Sequence, residues 1–178
     1  MTAPLPGEVG IPIQVSEQQL TVMLREAFAR GEDPNVPFVW QDLDSELFVD
    51  LRTLRVALRD GLLLVGLTVR CDETGGDRGE GIELVVPIAL GSQAEPAGLV
   101  GTVETAARGP SALVVAVWGE TVVAATWLAF LAVCREVAGR AGLDAKRQPL
   151  LPGAVWAAPG RLGVVPQARH AIDQAGLS

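Results

Sequence analysis

The sequence predicts an α+β fold in which a curved antiparallel sheet of about four to six strands packs against two helices. Three observations indicate this class: a capped amphipathic segment near the N-terminus, a central series of alternating apolar segments, and a long apolar segment around residue 130. The chain has 178 residues, which suits one domain. We expect that domain over residues 1–147, with an extended segment at 1–14, and a Pro/Gly-rich C-terminal arm over residues 148–178.

Composition narrows the classes of function. Apolar residues make up 49% of the chain but aromatic residues only 4%, so the core must consist mostly of Val, Leu and Ala. The net charge is −7 and no basic stripe is present, which disfavours nucleic acids and anionic membrane surfaces. The two cysteines form no C-x-x-C pair, and the N-terminus lacks the pattern of a secretory signal, so we expect a reduced, cytoplasmic setting.

The first helix is predicted to begin after Ser16. Ser16 is an N-cap residue with Gln19 three positions later, which is a capping box. Val15 and Leu20 flank the cap as a hydrophobic staple, and Gly31 ends the helix as a C-cap residue. Spacings of three and four then place these residues on one apolar face: Leu20, Met23, Leu24, Ala27 and Phe28.

The central strands begin with two alternating segments, residues 46–52 and 54–58. Their apolar residues alternate in opposite phases, so one core-facing surface requires a bulge or a tight turn near Arg52–Thr53. Asp60–Gly61 is a strong hairpin signal, and a long apolar strand follows it.

Later segments predict further strands. Residues 81–90 alternate, and Pro87 on the polar side indicates an edge strand or a bulge. Residues 99–106 and 111–118 are two more predicted strands.

The most apolar segment, TVVAATWLAFLAVC at residues 121–134, is predicted to lie in a helix over residues 120–140. It is shorter than the roughly 20 apolar residues that a spanning helix needs, so no transmembrane span is expected. One stripe is bulky (Trp127, Phe130, Cys134 and Val137) and a second is small (Ala125, Ala129 and Ala132). Two apolar stripes imply two packing partners, of which the protein's own sheet is one.

The C-terminal region is rich in Pro and Gly. AVWAAPGRLGVV, residues 154–165, is compatible with a small hairpin that turns at Pro159–Gly160. Otherwise the segment is an extended arm that lies across its own domain or a neighbour's.

Residues suited to catalysis are sparse. The single histidine, His170, lies near the C-terminus, where a rigid catalytic geometry is hard to maintain. Cys71 and Cys134 have no activating neighbour in sequence and are expected to be inert. Asp42, Asp44, Glu46 and Asp50 fit the polar side of a half-buried strand, although a glycosidase-like pair is the alternative. An enzyme would require carboxylates such as Asp42, Asp44 or Asp60 to converge in a cleft.

The glycine-rich acidic connection after Cys71 contains Asp72, Glu73, Asp77 and Glu80. Its spacing does not match an EF-hand, and it lacks the Lys and Ser/Thr of a phosphate-binding loop. We therefore expect a solvated turn, with no metal site and no cofactor.

The order of an N-terminal helix, alternating strands with VALRDGLLLV at a hairpin, and a later apolar helix resembles the tubular lipid-binding (TULIP) group over Val15 to Ala138. Proteins of that group wrap a curved sheet around a helix and hold lipid in the groove. The resemblance implies a carrier, although the lack of an export signal departs from many members.

Two functions follow as hypotheses. The first is a non-catalytic interaction or assembly module that binds a protein partner or a second copy through an apolar helix face and the C-terminal arm. The alternative is a carrier that holds an apolar, lipid-like molecule between sheet and helix. The candidate binding residues for either function are Trp127, Leu128, Phe130, Leu131 and Trp156.

Overall fold

The computed structural model describes residues 11–36, 38–73, 76, 78–99 and 105–168. It confirms the α+β class with antiparallel strands and two helices, but the strands form two sheets instead of one. The elements are β1 (Ile13–Ser16), α1 (Glu17–Ala29), β2 (Phe38–Gln41), β3 (Ser45–Arg59), β4 (Leu62–Glu73), β5 (Gly81–Ala89), α2 (Ala112–Arg140), β6 (Leu151–Ala158) and β7 (Arg161–Gln167). The smaller sheet has the order β1-β7-β6 and the larger one β2-β3-β4-β5. Both sheets and both helices contribute to a single apolar core.

Helix α1 begins at the predicted capping box. The Ser16 hydroxyl accepts a hydrogen bond from the Gln19 N–H at 3.2 Å, and the Gln19 side chain accepts one from the Ser16 N–H at 3.0 Å. The helix ends at Arg30, which adopts the left-handed conformation, and Gly31 follows with φ of 90°. The Glu17 carboxylate accepts a hydrogen bond from the Leu58 N–H at 2.8 Å, which ties the start of α1 to β3.

Strand β3 contains the predicted irregularity. Its pairing with β4 shifts register between Asp50 and Arg55, so the apolar residues on both sides of the shift reach the same core. All six are buried: Leu47, Val49, Leu51, Leu54, Val56 and Leu58. A bulge therefore reconciles the two opposite phases.

The bulge is held by side chains that satisfy its backbone. The Arg25 guanidinium of α1 donates to the carbonyls of Arg52 at 3.0 Å and Leu54 at 2.9 Å. The Thr53 hydroxyl donates to the Asp50 carbonyl at 2.6 Å and accepts from the Thr68 N–H of β4 at 3.0 Å. Residues 51–54 stand opposite residue 67 alone, and these side-chain bonds give partners to backbone groups at and beside the register shift.

The hairpin at Asp60–Gly61 joins β3 to β4, as predicted, with Gly61 at φ of 68°. Pro87 lies on β5, which is an edge strand of the larger sheet, so the edge interpretation is confirmed. Part of that edge is covered, because Val85 and Arg108 exchange two backbone hydrogen bonds of 2.8 Å.

Helix α2 corrects one predicted strand. Residues 111–118 form its cap and first turns, because α2 spans 29 residues from Ala112. The Ser111 hydroxyl accepts a hydrogen bond from the Val114 N–H at 3.3 Å as the N-cap. Val114, Trp118 and Val122 are buried at intervals of four, a helical period that the β-branched composition of the segment obscures. The other predicted strand, 99–106, lies mostly outside the described residues, and its described part (99 and 105–106) is not in a strand.

The C-terminal segment forms the predicted hairpin alternative and not an extended arm. Strands β6 and β7 pair around Pro159–Gly160, and β7 is the central strand of its sheet, between β1 and β6. Trp156 is only 2% exposed. It lies opposite Gly163, where a Cβ would stand 2.0 Å from the Trp156 ring. Residues 151–167 are therefore part of the packed structure.

We predict that Thr53→Val lowers the free energy of unfolding by about 1–3 kcal/mol, because the Thr68 N–H loses its acceptor at the bulge. The matched control is Thr21→Val, whose hydroxyl bonds only to the Glu17 carbonyl one turn back in the same helix. Chemical denaturation measures both variants. Equal, small losses would contradict a stabilising role for the Thr53 bridge.

We predict opposite effects for two glycine-to-alanine changes. Gly163→Ala forces a Cβ into the Trp156 ring and should lower the midpoint of thermal unfolding. Gly119→Ala places its Cβ at 3.6 Å or more from any neighbour, and alanine is favoured over glycine in a helix by about 1 kcal/mol. Thermal unfolding followed by circular dichroism tests both; a stable Gly163→Ala protein would contradict the close packing of the hairpin.

Candidate functional site

The outer side of α2 is apolar and faces solvent. Its outer stripe comprises six exposed residues at intervals of three and four: Leu113, Val117, Thr121, Ala124, Leu128 and Ala132. Three of these are large side chains with high exposure: Leu113 at 66%, Leu128 at 53% and Val117 at 47%. The opposite side of the same helix lies in the core, so α2 is apolar on both sides.

A groove runs beside this stripe. It has a volume of about 660 Å³ and is bounded by the end of α1, by β2 and by the middle of α2. The α2 groove, as we call it, is lined by Ala27, Phe28, Ala29, Arg30, Glu32, Phe38, Val39, Trp40, Thr121, Ala124, Ala125, Leu128, Ala129 and Ala132. Its helical wall is formed by small residues, whereas β2 supplies large ones.

Strand β2 forms the aromatic wall of the groove. The rings of Phe38 and Trp40 lie 5.2 Å apart in an edge-to-face arrangement, which is a favourable geometry for an aromatic pair. Val36 and Val39, which precede and separate them, are 59% and 39% exposed. Apolar surface therefore continues from the outer stripe across the groove to the outer edge of the larger sheet.

Charge on this surface is sparse, although Arg30 and Glu32 are among the residues that line the groove. Glu120 is the only charged residue between Ala112 and Cys134, and Arg135 is the first one after them. Both are exposed. The next two charged residues of α2, Glu136 and Arg140, pair with each other within the helix, at a distance of 2.5 Å.

The five candidate binding residues occupy different environments. Leu128 is exposed and lines the groove, and Trp127 and Leu131 are partly exposed. Phe130 is fully buried, with its ring 5.9 Å from that of Trp127, and Trp156 is buried in the hairpin. Phe130 and Trp156 thus contribute to the core and do not reach the surface.

The groove residues Phe38, Trp40 and Ala124 were missed by sequence reasoning. Phe38 and Trp40 lie on β2, which at four residues is too short to give an alternating pattern. The predicted small stripe of α2 was the one sequence feature that indicated the groove, because Ala125, Ala129 and Ala132 all line it.

The full length of α2 changes the argument about membranes. By length and composition the helix is long and apolar enough to cross a bilayer, a test that the core helix of a globular protein also passes. Residues 121–134 alone are shorter than a membrane-spanning segment, but the whole helix is not. In the structure α2 packs against α1, β5, β6 and β7.

A second cavity of about 520 Å³ lies on the β3–β4 face and has charged walls. Its arginines are largely committed to neighbouring carboxylates. The side-chain hydrogen bond from Arg52 holds the pKa of Asp50 below its usual value, and that from Arg70 does the same for Asp72. Arg70 also stacks over the Phe48 ring at 4.2 Å.

The carboxylates considered for catalysis do not converge. Asp42 and Asp44 lie in the turn before β3, and Asp60 lies in the turn after it, so the 15 residues of β3 separate them. Glu46 accepts a hydrogen bond from the Gln41 side chain at 2.9 Å. Among the described residues no three His, Cys, Asp or Glu side chains cluster as metal ligands. His170 and Asp77 lie outside the described residues.

The chain matches no known protein-family model, no curated protein and no solved structure. The resemblance to the TULIP group therefore stays a prediction.

We predict that the two cysteines differ in reactivity. Cys134 is buried in α2, and burial raises the pKa of its thiol because the thiolate is poorly solvated there. Cys71 is partly exposed. In the native protein an aromatic disulfide reagent should label one thiol, and denaturant should release the second. The Cys71→Ser and Cys134→Ser variants each retain one thiol and identify which cysteine reacts. Rapid labelling in both variants would contradict the burial of Cys134 in α2.

Proposed function

We propose that the chain is a non-catalytic assembly module that self-associates through the outer stripe of α2 and the adjoining α2 groove. The observation that carries this proposal is the exposed, largely apolar surface from Leu113 to Ala132, in which Glu120 is the only charged residue. Contiguous apolar patches of this kind are typical of interaction sites in folded proteins.

The shape of this surface suits a second helix. Helices in contact lie about 8–10 Å apart, and the distance depends on the size of the side chains between them. Ala124, Ala125 and Ala132 have short side chains, so another helix can approach α2 closely. Leu113, Val117 and Leu128 supply the larger apolar contacts at either side. The aromatic pair of β2 adds rigid apolar area at the edge.

The C-terminal segment takes a different part in this proposal from the one the sequence predicted. Because Trp156 and both strands of the hairpin are packed in the same chain, the segment supports α2 from within and does not reach a partner. The proposed setting is cytoplasmic, supported by the two unpaired cysteines. A non-catalytic role is supported by the separation of Asp42 and Asp44 from Asp60.

A carrier of an apolar molecule is the second candidate function. The volume of the α2 groove, about 660 Å³, falls within the range of small-molecule sites, and its walls are mostly Ala, Phe and Trp. The groove differs from the predicted carrier site, because Phe130 lies in the core.

We predict that Leu128→Glu abolishes self-association, because a carboxylate buried without a partner costs several kcal/mol. The matched control is Val22→Glu on α1, since Val22 is 48% exposed and Leu128 is 53% exposed. Light scattering coupled to size exclusion measures the mass of each variant. A monomeric wild-type protein at high concentration would refute the proposed assembly.

Native mass spectrometry of the purified full-length chain separates the two candidate functions. A discrete oligomer without extra mass supports assembly. A monomer with additional mass that organic solvent extracts supports the carrier and contradicts assembly.

A further inference from the structure

The two charges beside the outer stripe restrict how two copies can meet. Glu120 and Arg135 are both exposed on α2, fifteen positions apart, which corresponds to about 22 Å along a helix. Neither forms an ion pair with another residue in the described part of the chain. Between them the outer stripe carries no charge.

We propose that two copies associate with their α2 helices antiparallel, so that Glu120 of each copy pairs with Arg135 of the other. This inference rests on the proposed self-association. The twofold axis then passes near Leu128, midway between the two charges. Twofold symmetry creates the Glu–Arg pair twice, because the same surface is used by both copies.

The parallel alternative is electrostatically unfavourable. Parallel helices in register would place Glu120 against Glu120 and Arg135 against Arg135 of the second copy. Like charges on neighbouring helices repel, whereas opposite charges in antiparallel register attract and fix the register. The charges therefore select the direction, while the apolar residues between them supply the affinity.

The sizes of the side chains fit the antiparallel register. With the axis near Leu128, Ala124 of one copy faces the turn of the other that contains Leu128 and Leu131. A small residue then meets large ones on both sides of the axis, which is how facing layers interdigitate without voids.

Charge reversal tests this arrangement. Glu120→Arg and Arg135→Glu, each alone, should raise the Kd of the dimer roughly ten-fold in low salt, because two attractive pairs become repulsive. The double variant, Glu120→Arg with Arg135→Glu, should restore the wild-type Kd. The control is Glu26→Arg on an exposed position of α1, which should leave the Kd unchanged. Analytical ultracentrifugation over a concentration series measures each Kd.

Salt gives a second readout. Because Glu120 and Arg135 are both exposed, 1 M NaCl should largely remove the difference between single variants and wild type. A ten-fold difference that persists in high salt would overturn the electrostatic origin of the effect.

The two proposals fail in different ways. If Leu128→Glu disrupts the dimer but neither single reversal changes the Kd, self-association stands and the antiparallel pairing is wrong. If both single reversals weaken the dimer but the double variant does not recover, the pairing is also wrong. If the wild-type chain is monomeric, the proposed function itself is refuted.

Discussion

The fold depends on one irregularity in its longest strand. Leu51 and Leu54 both face the core although three positions separate them, and a regular strand would place them on opposite faces. The bulge between them is stabilised from two directions, by Arg25 of α1 and by Thr53, which reaches β4. One local break in the ladder therefore sets the position of the first helix and the phase of the larger sheet.

The second helix has a different relation to the core. Its inner side is covered by α1 and by strands of both sheets. Its outer side is largely apolar, with Glu120 as the only charge before Arg135, and is uncovered. Fully buried helices are apolar all round, and surface helices usually have one polar side. Because α2 follows neither pattern, its outer side is open to a further surface. Each candidate function proposes one: a second chain or an apolar molecule.

Features set by neighbours in sequence were predictable. The capping box at Ser16, the bulge near Arg52 and the turns at Asp60–Gly61 and Pro159–Gly160 each follow from a few adjacent residues. The start of α2 was not predictable, because the segment LVVAV is compatible with a strand or a helix. Packing against the core decides between these two structures. The sequence predicted a bulky and a small apolar stripe on α2, but the exposed outer stripe shares only Ala132 with them. The burial of Trp156 depends on Gly163 across the hairpin, which periodicity alone does not reveal.

The pairing of β1 with β7 joins the first described strand of the chain to the last. Ile13 lies beside Val164, so the smaller sheet cannot close until β7 has been synthesised. During synthesis α2 emerges before β6 and β7, so the part of its inner side that these two strands cover is open for that interval. A nascent chain in this state has the properties that recruit chaperones. The order of the elements thus delays completion of the smaller sheet until its last strand has emerged.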